Sequence, residues 1–278
     1  MIDLHIHTKH SDGDSSVSEV LKVCENEKLT AMSIADHDTV AAYAELGNPQ
    51  IRKLFGGTII PAVEISAECN GMPIEILGYG INPQQITKTL RTISEDDRRA
   101  FFADKLLEKA RELGLEFDLT ENERQSMRIA YKKFMEQNRE YLANLNKDFI
   151  ADDIVKAYTS FYRHAMNNRH SVFCITYDGL LQSAKAAVTT IHASGGTAYL
   201  AHPAEYGEFA NEILDEIKNV VDGVECFHPS ANPKFRKYLL DFCKKHNLRI
   251  SGGSDFHGYK NKINCERVPD WVLGQLLD

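Results

Sequence analysis

Imidazole and carboxylate side chains recur in this chain at spacings that could bind metal. His5 and His7 alternate with Leu4 and Ile6, so on a strand both rings project from one face. Two imidazoles at one strand end can share a divalent ion, although the same pair also describes ordinary polar surface. Repetition strengthens the metal reading. His37 between Asp36 and Asp38, Glu64 after Ala62-Val63, His202 in Ala201-His202-Pro203, and Asp255-Phe256-His257 each follow a short apolar run. The last repeats the spacing of the first with a carboxylate in front, and a pair near each chain end calls for a structure that brings the ends together. Donors of the His, Asp and Glu types suit Mn, Fe or Zn in a reactive site better than a thiolate-rich structural zinc site.

Each of these residues also has a plainer reading. Asp12 sits in Ser11-Asp12-Gly13-Asp14, a turn-like stretch where Asp commonly bonds its own backbone. Glu64 could be the first exposed residue after a strand. Asp36 and Asp38 face away from His37 on a strand end; they read as groups that orient a ligand, or, for Asp38 before Thr39, as a helix cap. His202 precedes proline and is expected to be extended. Glu225 and His228, in Gly223-Val224-Glu225-Cys226-Phe227-His228-Pro229, are candidates to face substrate. His228 could protonate a leaving oxygen or bind phosphate, or be a polar loop residue. Arg163-His164, Arg169-His170 and Lys260 are the candidate phosphate-binding cations, with solvated surface charge as the alternative. His10 and His192 read as ordinary surface or helix residues.

The elements that must position these groups alternate. Seven β-like runs fall at 2–6, 31–35, 58–64, 73–79, 197–201, 221–227 and 248–252, with helical patterns between many of them. Ser16 and Glu19 predict a capping box opening a helix whose apolar face is Val17, Val20, Leu21 and Cys24. Residues 39–55 read as helix interrupted near Gly47-Asn48-Pro49. Leu180 to Ala193 reads as helix stopped at Ser194-Gly195-Gly196, and 209–219 and 233–246 repeat the pattern. Alternation of this kind argues for α/β with a parallel sheet. The candidate ligands fall where strands end, which is where α/β barrels gather functional groups. Residues 96–175 break the rhythm with long charged helical patterns. They read as an inserted helical subdomain, dividing the remainder into 1–95 and 176–278. A cap over the active site is one role for it, and a surface decoration or dimer contact is another.

At 278 residues the chain has room for one large domain or two small ones. Its net charge of -8 argues against an extended basic nucleic-acid surface, so a phosphate ligand must be attracted locally, as bound divalent ions would do. None of the six cysteines forms a CxxC pair. No apolar run approaches the roughly 20 residues of a membrane span, and from the strand-like opening residues no signal peptide is expected to precede the fold. The expectation is a cytoplasmic protein with reduced, mostly buried thiols.

Several of these stretches together resemble the PHP (polymerase and histidinol phosphatase) family of metal-dependent phosphoesterases. They are DLHIHTKHSDGDSS at 3–16, SIADHDT at 33–39, PAVEIS at 61–66, ILGYGI at 76–81, GGTAYLAHP at 195–203, GVECFHP at 223–229 and GGSDFHG at 252–258. They occur in the family's order, cover residues 1–80 and about 185–260, and look closest to the branch acting on nucleotides and short oligonucleotides. The middle of the chain shows no such likeness.

The resemblance implies a distorted (β/α)7 barrel. It also implies two or three divalent metal ions (Mn, Fe or Zn) that turn a water into hydroxide and stabilise charge at phosphorus. By motif, His5, His7, Glu64 and Asp255 would hold one ion and Asp12, His37 and His257 another. Glu64 would bridge to a third site shared with His202. One position departs from the pattern: where the family usually has histidine, this chain has Glu75, a harder ligand. Asp255 and His228 are the residues expected at the reacting centre. The expected function is hydrolysis of a small phosphomonoester, a nucleotide first. Histidinol phosphate and short oligonucleotides are the alternative substrates, and a catalytically silent metal-binding regulatory module is the alternative class.

Overall fold

The computed structural model describes residues 1–258, 262–263 and 265–277, and Lys260 lies outside them. Nine strands are present among the described residues: β1 Ile2–Ile6, β2 Ala31–Ile34, β3 Thr58–Ile59, β4 Ala62–Cys69, β5 Met72–Tyr79, β6 Gln182–Ser183, β7 Thr197–Leu200, β8 Gly223–Phe227 and β9 Arg249–Gly252. They form a three-stranded sheet, β1-β2-β3, and a six-stranded sheet, β6-β4-β5-β7-β8-β9. Most pairings are parallel. β5 runs antiparallel to β7, which departs from the strict alternation expected.

The departure has a local origin. The apolar run 58–64 is broken at Pro61, which lacks the N–H a continuous strand would need, so it becomes β3 and β4. Between β4 and β5 lie Asn70 and Gly71, both at positive φ (49° and 77°). That pair of left-handed residues makes the tight turn of a hairpin, and Asn-Gly is the sequence suited to it. The result is a mixed α/β fold of two sheets that do not close into a barrel. Isolated bridges Ile6↔Phe256 and His37↔Glu64 join the sheets where the strands end.

The chain divides into two compact units. The first, 1–69, 74–92 and 182–278, contains nearly all of both sheets. Its helix Val17–Asn26 begins at the Ser16–Glu19 capping box and buries Val17, Val20, Leu21 and Cys24. These pack with Ile6, Met32 and Ile34. The expected helix 39–55 is two short pieces, Ala42–Leu46 and Pro49–Arg52. Helices Ala184–Ala193, Ala210–Ile217 and Pro233–His246 follow the expected pattern. The second unit, 70–73 and 93–181, is helical over Glu95–Glu112, Glu121–Arg124, Met127–Gln137, Arg139–Leu145 and Ile154–Phe161. Its core is aromatic: Tyr131, Phe134, Phe161 and Phe173 are fully buried together.

Among the described residues no helix is long and apolar enough to cross a membrane. All six cysteines are free; Cys24, Cys226 and Cys243 are buried, whereas Cys265 is exposed.

Candidate metal centre

The centre begins at β1. All five strand residues are buried, so Asp3 and His5, with His7 just beyond the strand, turn polar groups into the interior from one face. The segment after β9 is laced to this strand end. The His7 N–H donates to the Phe256 carbonyl at 2.9 Å, the Phe256 N–H to the His5 carbonyl at 3.3 Å, and the Asp14 N–H to the His257 carbonyl at 2.9 Å. Gly253 makes this approach feasible, since a Cβ there would lie 2.4 Å from the His5 Cβ. The first and last motifs are thereby brought together, as their matching spacing implied.

β4 is joined next. The Asp38 N–H donates to the Glu64 carbonyl at 2.8 Å and the Glu64 N–H to the Asp36 carbonyl at 3.2 Å, which sets His37 beside Glu64. Glu64 is the hub. Its Oε2 lies 3.2 Å from His5 Nε2, 3.3 Å from His7 Nε2 and 3.2 Å from His37 Nδ1. Its Oε1 is 3.0 Å from His202 Nε2.

Three donor groups converge on this hub. His5, His7, Glu64 and Asp255 form one, with Asp255 Oδ1 3.0 Å from His7 Nε2 and 3.4 Å from His5 Nε2. His7, Asp12, His37 and His257 form another, in which Asp12 Oδ1 is 3.2 Å from His257 Nε2. His37, Glu64 and Glu75 form the third. There Glu75 Oε2 is 3.0 Å from His202 Nε2 and Oε1 is 3.6 Å from His37 Nδ1.

His5 Nε2, both ring nitrogens of His7, His37 Nδ1 and Glu64 Oε2 are buried without a hydrogen-bond partner. Leaving a buried polar atom unpaired costs about 1–3 kcal/mol, and five such atoms facing one another are explained if divalent ions complete them. Nitrogen and oxygen donors without thiolates suit Mn, Fe or Zn.

The clustered side chains shift one another's pKa values. Burial alone would raise the Glu64 pKa, but the neighbouring His5 and His37 charges and the hydrogen bond with His202 hold it well below the carboxylate range. Asp255 is likewise held low against burial, chiefly by His5 and His228, and Asp12 chiefly by His257. Burial lowers the His7 pKa, yet the Asp255 and Glu64 carboxylates 3.0 and 3.3 Å from its Nε2 outweigh it and lift it to about 10. His5 and His257 are raised against burial by their own carboxylates, and His202 by Tyr206 first and then by Glu64 and Glu75.

Other buried carboxylates stand behind the ligands. Asp36 accepts from the Thr8 N–H at 2.6 Å, the Thr8 hydroxyl at 2.7 Å and the Ser11 hydroxyl at 2.7 Å, shaping the turn that presents Asp12. Asp3 Oδ1 accepts the Ser254 N–H at 2.9 Å. Of the two roles open to Asp38, the helix cap is not taken: it sits at φ 51° and accepts the Ser66 N–H at 2.9 Å. The following helix begins four residues later, at Ala42, without a side-chain cap. His202 also differs. It is not extended but sits at φ 27°, ψ 61°, because its N–H is drawn to Glu225 and its ring to Glu64 and Glu75. Asp38, His202 and Asp255 are all non-glycine residues at positive φ, and such strain persists where surrounding contacts over-determine it.

The substrate candidates are placed variously. Glu225 is fully buried and both its oxygens are taken by protein, His5 Nδ1 at 3.0 Å and the His202 N–H at 2.8 Å. It therefore stands behind the ligands, where it was expected to face substrate. His228 Nε2 lies 3.4 Å from Asp255 Oδ2. Arg163 and His164 are exposed on the π-helical turn Tyr162–Met166 of the second unit. His10 and His192 pair with Glu45 and Asp222 at exposed positions. Tyr206 was not singled out from the sequence. Its hydroxyl accepts the Glu75 N–H at 3.1 Å and its ring lies 5.9 Å from that of His202; only its place four residues after His202 could have pointed to it.

No family model matches the chain. It is 25% identical over 264 residues to a phosphoribosyl 1,2-cyclic phosphate 1,2-diphosphodiesterase of Eggerthella lenta, covering 94% of this chain and 95% of that one. It is 27% identical to a 5'-3' exoribonuclease of Escherichia coli, covering 92% and 84%. To a 3',5'-nucleoside bisphosphate phosphatase of Chromobacterium violaceum it is 26% identical, covering 92% and 87%. The fold matches that of an amidohydrolase structure from Chromobacterium violaceum with TM-score 0.64 at 22% identity, covering 99% and 96%. A candidate metal-dependent phosphoesterase of Bifidobacterium adolescentis matches with TM-score 0.63 at 20% identity, covering 99% and 95%.

Proposed function

We propose that the chain is a PHP-family metal-dependent phosphoesterase and that it hydrolyses a small phosphomonoester, a nucleotide first, with two or three divalent ions held around Glu64. The observation that carries this reading is the convergence of His5, His7, His37 and His202 on one buried carboxylate, within 3.0–3.3 Å of its oxygens. His5, His7, Glu64 and Asp255 would hold one ion and Asp12, His37 and His257, beside His7, a second. Glu64 and Glu75 with His202 would hold a third. Bound there, divalent ions supply Lewis-acid charge at phosphorus and acidify the attacking water.

The protein's own contribution is orientation. The Ser230 N–H donates to His228 Nδ1 at 3.1 Å, so that nitrogen is an acceptor and Nε2 carries the hydrogen. His228 therefore offers a donor beside Asp255, suited to a phosphoryl or leaving oxygen. All of the proposed metal ligands belong to the first unit. The helical unit, with Arg163 and His164, is read as governing substrate choice, and the two unclosed sheets as an open, distorted variant of the (β/α)7 barrel.

The E. coli relative's name keeps short RNA in view as a second substrate. The chain's net charge of -8 weighs against it, because backbone phosphates are held largely by Lys and Arg. The test is a panel of nucleoside monophosphates and bisphosphates, histidinol phosphate and short RNA, with Mn added and then chelated. Release of inorganic phosphate from the nucleotides, lost on chelation, supports the proposal. Metal-independent turnover, or no turnover of any member by metal-loaded protein, contradicts it.

A further inference from the structure

We propose that Glu225 is a positioning residue that fixes which nitrogen of His5 faces the metals and, through its second oxygen, anchors the backbone of His202. The proposal rests on the metal-binding reading of the site but not on any particular substrate.

Glu225 lies in the middle of β8, whose five residues are all buried. A carboxylate there is costly unless both oxygens are engaged. Oε1 is 3.0 Å from His5 Nδ1 and Oε2 accepts the His202 N–H at 2.8 Å. An ionised carboxylate only accepts, so Nδ1 of His5 must carry hydrogen. Nε2 is then left as the lone-pair donor, and it is Nε2 that lies 3.2 Å from Glu64 and 3.4 Å from Asp255. The second bond acts on a different ligand from a different strand. His202 holds an uncommon backbone for a residue followed by proline, and its N–H has a buried anionic acceptor that helps to keep it there. One side chain thus sets a ring orientation at β1 and a backbone conformation after β7. A carboxylate behind a metal-bound histidine typically changes metal affinity about 10–100-fold when removed.

Glu225→Gln tests this with little change of shape. One amide oxygen can still accept, but the amide NH2 must meet either the His5 N–H or the His202 N–H. Metal-stripped wild type and variant are titrated with Mn, and bound ions are counted. The expected result is a roughly 10–100-fold weakening confined to the ions served by His5 and His202. The ion served by Asp12, His37 and His257 is retained, and Glu225→Asp recovers part of the loss. Unchanged affinities for every ion, or equal weakening of all of them, would overturn the proposal. A second measurement needs no variant: long-range 1H–15N correlation on zinc-loaded wild type, with histidines assigned. Hydrogen on His5 Nδ1 supports the assignment, and an unprotonated Nδ1 overturns it. Should the protein bind metal in this way yet hydrolyse no phosphate ester, the functional reading fails and this inference stands.

Discussion

The two units differ in how much charge and polarity they bury alongside their apolar residues. In the first, Asp3, His5, His7, Asp36, Asp38, Glu64, His202, Glu225 and His228 are all buried. In the second, Asn138 is the buried polar residue among those described, and the interior is rings: Phe134 sits 5.7 Å from Phe173 and 5.9 Å from Phe161. An aromatic core needs only area and shape. A charged interior must match every donor with an acceptor or an ion. Among the described residues the candidate ligands are concentrated in the first unit, where the fold bears the cost of burying charge.

Substitutions at the two hubs should break this contrast most sharply. Glu64→Gln removes charge from all the groups that share it. Hydrolysis should fall by more than the roughly 10–100-fold typical of residues behind a ligand, with loss of bound metal measured by mass spectrometry. Retention of metal and rate would remove Glu64 from the centre. Phe134→Ala should do the reverse, costing about 3–5 kcal/mol of stability through an aromatic-sized cavity. Metal content per folded molecule should stay unchanged; calorimetry with metal analysis checks both.

The pH dependence sharpens the contrast further. The His7 pKa is raised from 6.5 to about 10 in the metal-free cluster. The stability this adds to the metal-free fold is fully present below pH 6.5 and is lost as pH rises through about 10. Metal must displace that proton, so affinity should rise across the same window, with proton release on binding. Flat affinity between pH 6.5 and 10 would show that His7 is not a ligand. The smallest effect is expected at Glu75, which lies 3.0 Å from His202. Glu75→His should shift preference from Mn towards Zn, since imidazole is the softer donor. Identical metal preference in both proteins would place Glu75 outside the ligand set.

The sequence displayed most of the candidate ligand motifs because His7, His37, His202 and Asp255 lie just beyond strands, where alternation and apolar runs mark position; Glu64 and Glu75 lie inside β4 and β5, and Asp12 in a turn. His5, His7 and the Asp255–His257 pair could be grouped from spacing, and the capping box at Ser16 and Glu19 was legible in four residues. What stayed hidden depends on contacts between distant segments. Nothing near Glu225 says that both its oxygens are occupied by β1 and by the residue after β7. The rule that a residue before proline is extended failed at His202, where tertiary bonds outweighed the local preference. β3 and β4 were read as one run because Pro61 sits among apolar residues, and the hairpin that reverses β5 was signalled only by Asn70-Gly71. The aromatic core of the second unit was illegible in detail because helical periodicity marks a buried face but not its partner.

The most direct test is a titration of metal-stripped protein with Mn, counting ions per chain while recording nucleotide hydrolysis. Activity should be absent at the start and should appear as roughly two to three ions bind per chain, then disappear again with chelator. Full activity in stripped protein, or saturation at a single ion per chain with full activity, would contradict a shared cluster built around Glu64.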